Sequence, residues 1–115
     1  MSKSFWHKYQ DRYARLRSHV CVGLDSQPDK LPACVQGAHN PIWEFNRAII
    51  DATNEYATAY KPNLAFYLAD GVRGLTALYE TVNYIPSDIP VILDCKVGDI
   101  GSTMAGYVSG FFGDL

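Results

Sequence analysis

Two observations in the sequence predict an α/β fold built on a parallel sheet. First, segments with helical spacing alternate with short strand-like runs, in the order helix, strand, helix, strand, helix, strand, helix. Such alternation is typical of parallel strands joined by right-handed crossover helices. Second, each predicted strand ends on a charged residue, and the working residues of parallel α/β folds gather at that end. With 115 residues, the chain is shorter than the roughly 250 that a closed eight-stranded α/β barrel typically needs.

Composition and charge indicate one water-soluble globular domain covering residues 1–115. Apolar residues make up 48% of the chain and charged residues 19%, which is an ordinary globular balance. The net charge of −2 gives no indication of nucleic-acid binding. No apolar run approaches the roughly 20 residues that a membrane helix needs, so we expect a cytoplasmic protein with no membrane partner.

The three cysteines favour the same compartment. Cys21, Cys34 and Cys95 form no CxxC pair, and an odd number cannot all pair internally. Because two of them lie in apolar strand-like runs, we expect reduced, buried thiols.

The chain begins with a predicted helix and a predicted strand. The first 17 residues hold five Lys/Arg and one Asp, a balance that transit peptides share. A packed amphipathic helix is favoured instead, because four side chains repeat at helical spacing: Phe5, Tyr9, Tyr13 and Leu16. The run 19–25 is rich in β-forming residues and ends on Asp25. Residues 26–40 are predicted to form a loop.

The middle of the chain contains the second helix and the second strand. Asn40-Pro41 has the pattern of an N-cap followed by proline at the first helical position. The apolar stripe of the helix that follows comprises Ile42, Phe45, Ile49, Ala52 and Tyr56. A second strand is predicted over 58–62, where Lys61 lies at the carboxyl end and Pro62 ends the run.

The third unit repeats this order. A helix is predicted from about Asp70 to Tyr84, with a stripe formed by Val72, Leu75, Leu78 and Val82, and Pro86 stops it. A strand then runs over about 90–94. A last helix is predicted from Ser102 or Thr103 to Gly113, with Met104, Tyr107, Val108 and Phe111 at helical spacing.

The stretch 91–103, VILDCKVGDIGST, carries most of the charge at a strand end. Three charged residues follow its apolar start at fixed offsets: Asp94, Lys96 and Asp99. Side chains alternate faces in a strand, so Asp94 and Lys96 are predicted to share a face, with Cys95 opposite. Two opposite charges at the end of a buried strand are costly to desolvate unless they serve each other or a ligand.

The charges at the strand ends form a candidate site. We call this edge of the sheet the rim and define it by Asp25, Lys61, Asp94 and Lys96. Three of these residues, together with Asp99, form an alternating array of lysines and aspartates, Lys61-Asp94-Lys96-Asp99. Such an array would produce a preorganised electrostatic field. In such a field a lysine can deliver a proton and a carboxylate can repel or orient an anionic group. The alternative is a set of unrelated surface ion pairs.

Other catalytic templates do not fit the sequence. It contains no Walker loop, no GxGxxG after a strand and no HExxH. His7, His19 and His39 are scattered without ligand spacing, which does not support a metal site. Ser102-Thr103 at a helix start is more typical of a cap than of a nucleophile, since no histidine base is placed near it.

Three segments, in the right order, resemble one family. The run 91–104 contains an apolar pair, then DxKxxD, Ile, Gly, a further residue and Thr, which is similar to the signature of orotidine 5'-phosphate decarboxylase. Gly23-Leu24-Asp25 and Tyr60-Lys61-Pro62-Asn63 resemble the first and second strand ends of that family. The segments 25–28 and 61–67 resemble its bacterial type 2 branch in particular.

This resemblance implies a role for each matching residue. Lys96 resembles the proton donor to C6 of the pyrimidine as carbon dioxide leaves, and Asp94 the carboxylate that faces the substrate carboxylate. Lys61 resembles the lysine that bridges that aspartate and a ribose hydroxyl, and Asp25 a ribose-binding residue. The family reaction converts orotidine 5'-phosphate to UMP in de novo pyrimidine biosynthesis.

The resemblance also implies a homodimer without cofactors. Asp99, with the substrate-binding Ile100 and Thr103, resembles the portion that reaches into the site of the partner subunit. Neither a metal nor an organic cofactor is implied.

Two alternatives stay open. The DxKxxD core is shared with hexulose-6-phosphate synthase and keto-gulonate-phosphate decarboxylase, which use a metal and an enediolate. Those relatives carry an acidic residue at the second strand, where this chain has Lys61, a cation that would repel the ion. The other alternative is an inactive or complementing barrel fragment that acts only as an interaction module.

The resemblance predicts only part of a barrel. The implied fold is a TIM (β/α)8 barrel of the ribulose-phosphate-binding type, of which the chain supplies the N-terminal helix and the first three βα units. The later strand ends, which in the family hold the pyrimidine edge and the phosphate, are expected to lie beyond residue 115.

Overall fold

The computed structural model describes residues 2–114, so the two end residues of the predicted 1–115 domain lie outside it. In chain order the elements are α1 (Phe5–Leu16), β1 (Cys21–Leu24), α2 (Ala33–Gln36), α3 (Pro41–Thr53), β2 (Ala59–Pro62), α4 (Leu64–Ala69), α5 (Gly71–Tyr84) and α6 (Gly101–Ser109). The predicted loop 26–40 thus contains α2, together with a 3₁₀ turn at Pro28–Lys30. None of the helices over residues 2–114 is long and apolar enough to cross a membrane.

The two strands form a parallel sheet, as predicted. Cys21 lies opposite Ala59 at one end of the pairing and Leu24 lies opposite Pro62 at the other. The alternation of helices and strands in the sequence therefore gave the correct sheet type.

The predicted third strand is not a continuous strand. It joins β2 through two isolated parallel bridges, Tyr60 to Val91 and Asn63 to Asp94. Tyr60 exchanges both of its backbone hydrogen bonds with this segment, and the Asp94 N–H donates to the Pro62 carbonyl at 3.0 Å. Pro62 has no N–H with which to return a hydrogen bond, which interrupts the ladder between the two bridges.

Helix α1 forms where the sequence predicts it, but its buried residue is an arginine. Phe5, which belongs to the predicted stripe, is 44% exposed. Arg12, which does not belong to it, is 5% exposed. The Arg12 guanidinium donates to the carbonyl oxygens of Asn54 and Ala57, both at 2.6 Å, and its Nη1 lies 3.2 Å from Asp88 Oδ2. Arg12 therefore ties α1 to the end of α3 and to the segment before Val91.

Helix α3 begins at its predicted cap. The Asn40 side chain accepts a hydrogen bond from Trp43 N at 3.4 Å, and Pro41 follows as the first helical residue. Its buried side is formed by Pro41, Ile42, Asn46 and Ile50. The predicted stripe was wrong at its end, since Ala52 is exposed and Tyr56 lies beyond the helix, 66% exposed.

Helix α5 has the predicted length, and α4 before it was missed. The α5 stripe was wrong at Val72, which is 82% exposed, because the helix buries Gly74, Ala77, Leu78 and Thr81. The α4 cap is Asn63, whose Oδ1 accepts from Ala65 N at 3.1 Å. The sequence does contain a signal for α4, because Asn63, directly after Lys61-Pro62, is a residue type that favours the N-cap position.

The apolar core has two parts on the helix side of the sheet. One lies under β1, β2 and α3 and comprises Leu24, Ile50, Ala57, Tyr60, Ile85 and Ile89. The other lies among the helices and comprises Leu31, Ile42, Leu64, Tyr67, Ala77 and Leu78. Lys61 and Asp94 belong to neither cluster.

Burial of the thiols was predicted wrongly. Cys21, Cys34 and Cys95 are free, but Cys21 and Cys34 are exposed and Cys95 is half-buried. Cys21 is exposed on β1 although the run around it is apolar, and Cys34 lies in the short surface helix α2. Even at this exposed position, partial desolvation raises the pKa of the Cys21 thiol, because it disfavours the thiolate.

Helix α6 begins at Gly101, one residue before the predicted start. Its end was predicted wrongly at Gly113, because the backbone continues in π-helical turns over Gly110–Asp114. Between α5, α6 and the third strand segment lies an apolar cavity of about 340 Å³. Val91, Leu93, Cys95 and Val97 line it from one face of that segment.

Gly74 sets how closely α4 and α5 approach. A Cβ on Gly74 would overlap the Tyr67 carbonyl oxygen and lie 2.8 Å from its carbonyl carbon. We expect Gly74→Ala to lower the free energy of unfolding by about 3 kcal/mol, since backbone must move to admit the methyl group. Urea unfolding measures the change.

The matched control is Gly106→Ala in α6, where an added Cβ meets no atom within 4 Å. This change is expected to stabilise α6 by about 0.8 kcal/mol, because alanine is the better helix former. Equal effects of the two substitutions would contradict the close approach at Gly74.

Candidate active site

The carboxyl ends of the strands place three charged side chains on one edge of the sheet. Asp25 follows the last residue of β1, Lys61 lies in β2 and Asp94 lies at the second bridge of the third strand segment. Parallel pairing brings these ends together, because the strands run in the same direction. Gly23 pairs with Lys61 across the sheet and places no side chain beside the lysine.

Asp94 is the centre of the rim. Its Oδ2 lies 3.6 Å from Lys61 Nζ, and its Oδ1 lies 3.3 Å from Lys96 Nζ. Asn63 Nδ2 donates to the same carboxylate at 3.5 Å. A carboxylate between two ammonium groups forms a fixed pattern of charge on the open face of the sheet.

The three charged side chains around Asp94 differ in their exposure to solvent. The side chains of Asp94 and Lys61 are 32% and 37% exposed, whereas that of Lys96 is 84% exposed. Asp94 and Lys96 share a face, while Cys95 lines the apolar cavity on the other face, as the strand alternation predicts. The Lys96 ammonium is thus held at one end by Asp94 and open to a ligand on its other sides.

Asp25 lies beside this group without joining it. Its Oδ2 is 3.7 Å from the position that a Cβ on Gly23 would take, so the carboxylate lies over the backbone of β1. It lines an open cavity of about 340 Å³ together with Ser26, Gln27 and Lys30. Among the described residues, Asp25 forms no ion pair.

The fourth predicted member of the array is separate from the other three within one chain. Asp99 Oδ1 accepts a hydrogen bond from Ile100 N at 2.7 Å, and no ion pair joins Asp99 to Lys61 or Lys96 in residues 2–114. Ile100 is 78% exposed and Thr103 is exposed in the first turn of α6. All three side chains are therefore accessible from outside the chain.

Sequence reasoning did not assign a role to Asn63. Its amide donates to Asp94 while its oxygen caps α4, so one side chain links the rim to a helix. Its place directly after Lys61-Pro62 was the only signal. In residues 2–114, no three His, Cys, Asp or Glu side chains come close enough to hold a metal ion.

Comparison with known proteins identifies the family. A sequence model described as the orotidine 5'-phosphate decarboxylase / HUMPS family matches residues 18–114. The chain belongs to this family. The family that the sequence resembles is therefore confirmed.

Relatives within the decarboxylase family agree in sequence and in fold. Orotidine 5'-phosphate decarboxylase from Christiangramia forsetii is 45% identical over 108 residues, which cover 91% of this chain and 40% of that protein. The Bacteroides fragilis enzyme is 49% identical over 104 residues, covering 88% of this chain and 38% of that protein. The solved Leishmania donovani OMP decarboxylase superposes with a TM-score of 0.78 at 36% identity, over 96% of this chain and 40% of that one.

The fold is thus part of a (β/α)8 barrel, as the resemblance implied. The chain spans about two fifths of the length of the curated decarboxylases that it matches.

Proposed function

We propose that the chain supplies the catalytic residues of an orotidine 5'-phosphate decarboxylase, which forms UMP in de novo pyrimidine biosynthesis. One observation carries the proposal: the Asp94 carboxylate lies between the ammonium groups of Lys61 and Lys96, at strand ends. This arrangement occurs in a chain that is 45–49% identical to proteins with that name.

The reaction needs charge to be stabilised at one carbon. The bond between C6 of the pyrimidine and the carboxylate breaks, carbon dioxide leaves, and the electron pair stays on C6. Lys96 then gives its proton to C6. Fixed charges that match a developing charge lower the barrier without reorganisation during the reaction.

Asp94 and Lys61 orient the reacting groups in this proposal. Asp94 faces the substrate carboxylate, and Lys61 holds Asp94 while it reaches a ribose hydroxyl. Asp25, at the end of β1, contacts the ribose. Binding energy from the substrate phosphate also contributes to the chemical step, because remote contacts stabilise the reactive geometry.

The proposal includes a homodimer in the cytoplasm. Asp99, Ile100 and Thr103 lie on a surface-exposed segment at the start of α6, where a second subunit can receive them. Such exchange would complete the four-charge array across the interface. Residues 1–115 form a single domain in this assembly.

The test measures carbon dioxide release from orotidine 5'-phosphate by the chain alone and with a C-terminal complement. The complement is the part of the Bacteroides fragilis decarboxylase beyond the aligned segment. We expect turnover with the complement and without added metal. A soluble complex that releases no carbon dioxide would refute the proposal, and dependence on Mg²⁺ would favour the metal-using relatives, even though the Lys61 cation would repel the ion.

Mixing two inactive variants tests the shared site. Asp99→Ala and Lys96→Ala are each expected to be inactive, but their mixture should regain up to about a quarter of the wild-type sites. Half of randomly mixed dimers are hybrids, and each hybrid contains one site with neither change. A mixture that stays inactive after subunit exchange would show that Asp99 serves its own chain.

A further inference from the structure

A network of buried polar side chains lies directly behind the end of β1. Its centre is Asn46, which is fully buried. Asn46 Oδ1 accepts from Ser26 Oγ at 2.5 Å, and Asn46 Nδ2 donates to Tyr67 OH and to Thr81 Oγ1, both at 2.9 Å. Tyr67 OH donates in turn to the Leu24 carbonyl at 2.7 Å.

This network holds both chain neighbours of Asp25. Leu24 is held through its carbonyl and Ser26 through its hydroxyl, whereas Asp25 is exposed. No hydrogen bond from another described residue fixes the Asp25 carboxylate. The direction of that carboxylate therefore depends on the backbone over 24–26, which the network anchors on both sides.

The state of Tyr67 suits this role. Burial, together with the nearby negative charge of Asp25, raises the pKa of Tyr67 far above its usual range, although the hydrogen bond with Asn46 lowers it in part. The phenol consequently stays protonated and donates to the Leu24 carbonyl at any ordinary pH.

A purely apolar core would fill the same space at lower cost. Burying an amide is unfavourable unless its hydrogen bonds are made, and here both the oxygen and the nitrogen of Asn46 are used. Fully satisfied networks of this kind fix one arrangement of the elements that they join. The network joins α3, α4 and α5 to the loop that carries Asp25.

We propose that Asn46, Tyr67 and Ser26 are positioning residues that hold the Asp25 carboxylate toward the ribose hydroxyls of a nucleoside 5'-monophosphate. The inference rests on the proposed function, which assigns the ribose contact to Asp25. Each acts through the segment that carries Asp25, since Tyr67 binds the Leu24 carbonyl and Asn46 binds the Ser26 hydroxyl.

A matched pair of variants tests whether the network holds this segment. Tyr67→Phe removes the hydroxyl that binds Leu24. Tyr60→Phe removes the hydroxyl of an equally buried side chain, which lies 2.8 Å from Thr53 Oγ1 and whose hydrogen bonds go to α3 and not to the segment 24–27. In the full chain with its C-terminal complement, hydrogen exchange over residues 24–27 should accelerate about fivefold to tenfold in Tyr67→Phe alone. Ser26→Ala should give the same pattern. Equal acceleration in Tyr60→Phe would overturn the proposal.

A double-mutant cycle tests whether the effect passes through Asp25. Tyr67→Phe should weaken UMP binding about fivefold by calorimetry, while Tyr60→Phe leaves it unchanged. In an Asp25→Asn background, Tyr67→Phe should have no further effect, because the group that it positions is gone. Additive effects would overturn the proposal. If the wild-type protein binds no UMP, the proposed function fails, and the exchange comparison alone decides whether the network holds the segment.

Discussion

Replacing Lys96 by alanine is expected to lower the rate of carbon dioxide release by about 100-fold to 10,000-fold in the complemented chain. This range is typical of removing a proton donor that acts in the transition state. The Lys96 side chain is 84% exposed and its ammonium contacts Asp94, so its loss should remove reactivity with little effect on folding. Steady-state turnover measures the change, and urea unfolding of the variant checks the fold.

Two further variants make this result specific. Lys8→Ala, in α1 and near Ser87 and Asp88, changes another lysine far from the carboxyl ends of the strands and should leave turnover unchanged. Lys96→Arg keeps the positive charge but cannot release a proton near neutral pH, and it should stay inactive. Full activity in Lys96→Arg would show that Lys96 supplies only charge.

Replacing Arg12 by alanine is expected to lower the free energy of unfolding by about 3–5 kcal/mol. The substitution leaves the carbonyl oxygens of Asn54 and Ala57 without the donors that bind them at 2.6 Å. Losing a buried charged donor costs far more than losing an exposed one, because the acceptors that remain cannot recover water. Urea unfolding of the complemented chain measures the loss.

Arg15 is the matched control, because it binds the same carboxylate from an exposed position. Its Nη2 lies 3.1 Å from Asp88 Oδ2, and its side chain is 62% exposed, against 6% for Arg12. Arg15→Ala should therefore cost no more than about 1 kcal/mol. Similar losses for both variants would mean that the contact with Asp88, and not the buried carbonyls, supplies the stability.

The expected effects of Arg12→Ala and Lys96→Ala assign different roles to the two ends of the sheet. Arg12 lies at the end where the strands begin, because it binds Ala57 just before β2 and Asp88 just before the third strand segment. Lys96 lies at the end where they finish. In barrels of this type the first end serves stability and the second serves chemistry. Arg12→Ala should therefore affect mainly the free energy of unfolding, and Lys96→Ala should affect mainly the rate of turnover.

The element order could be predicted because local signals are strong in this chain. Asn40-Pro41 marks the start of α3, Pro86 follows the end of α5, and short apolar runs before, between and after these points mark the strands. The alternation then required a parallel sheet. The rim could be predicted for the same reason, since parallel strands bring their carboxyl ends to one edge and each end carries a charge.

Burial could not be predicted from apolar spacing alone. Val72 and Tyr56 fit their stripes yet are exposed, while Arg12, Asn46 and Thr81 are buried. Polar side chains enter a core only where partners from distant parts of the chain satisfy them, and such partners are not visible in local sequence. The broken third strand also depends on a distant residue. Pro62 lacks the N–H that would donate to the segment around Ile92, so the pairing between the two is interrupted.

The sequence by itself determined the family, the parallel order of the strands and the charged residues at their ends. These follow from short motifs and from the direction of the strands. Only the tertiary structure decided that Asp94 lies between two lysines while Asp99 stands apart, and that Asn46 and Tyr67 anchor the segment carrying Asp25. Those facts depend on distances between side chains that are remote along the chain, and packing alone sets such distances.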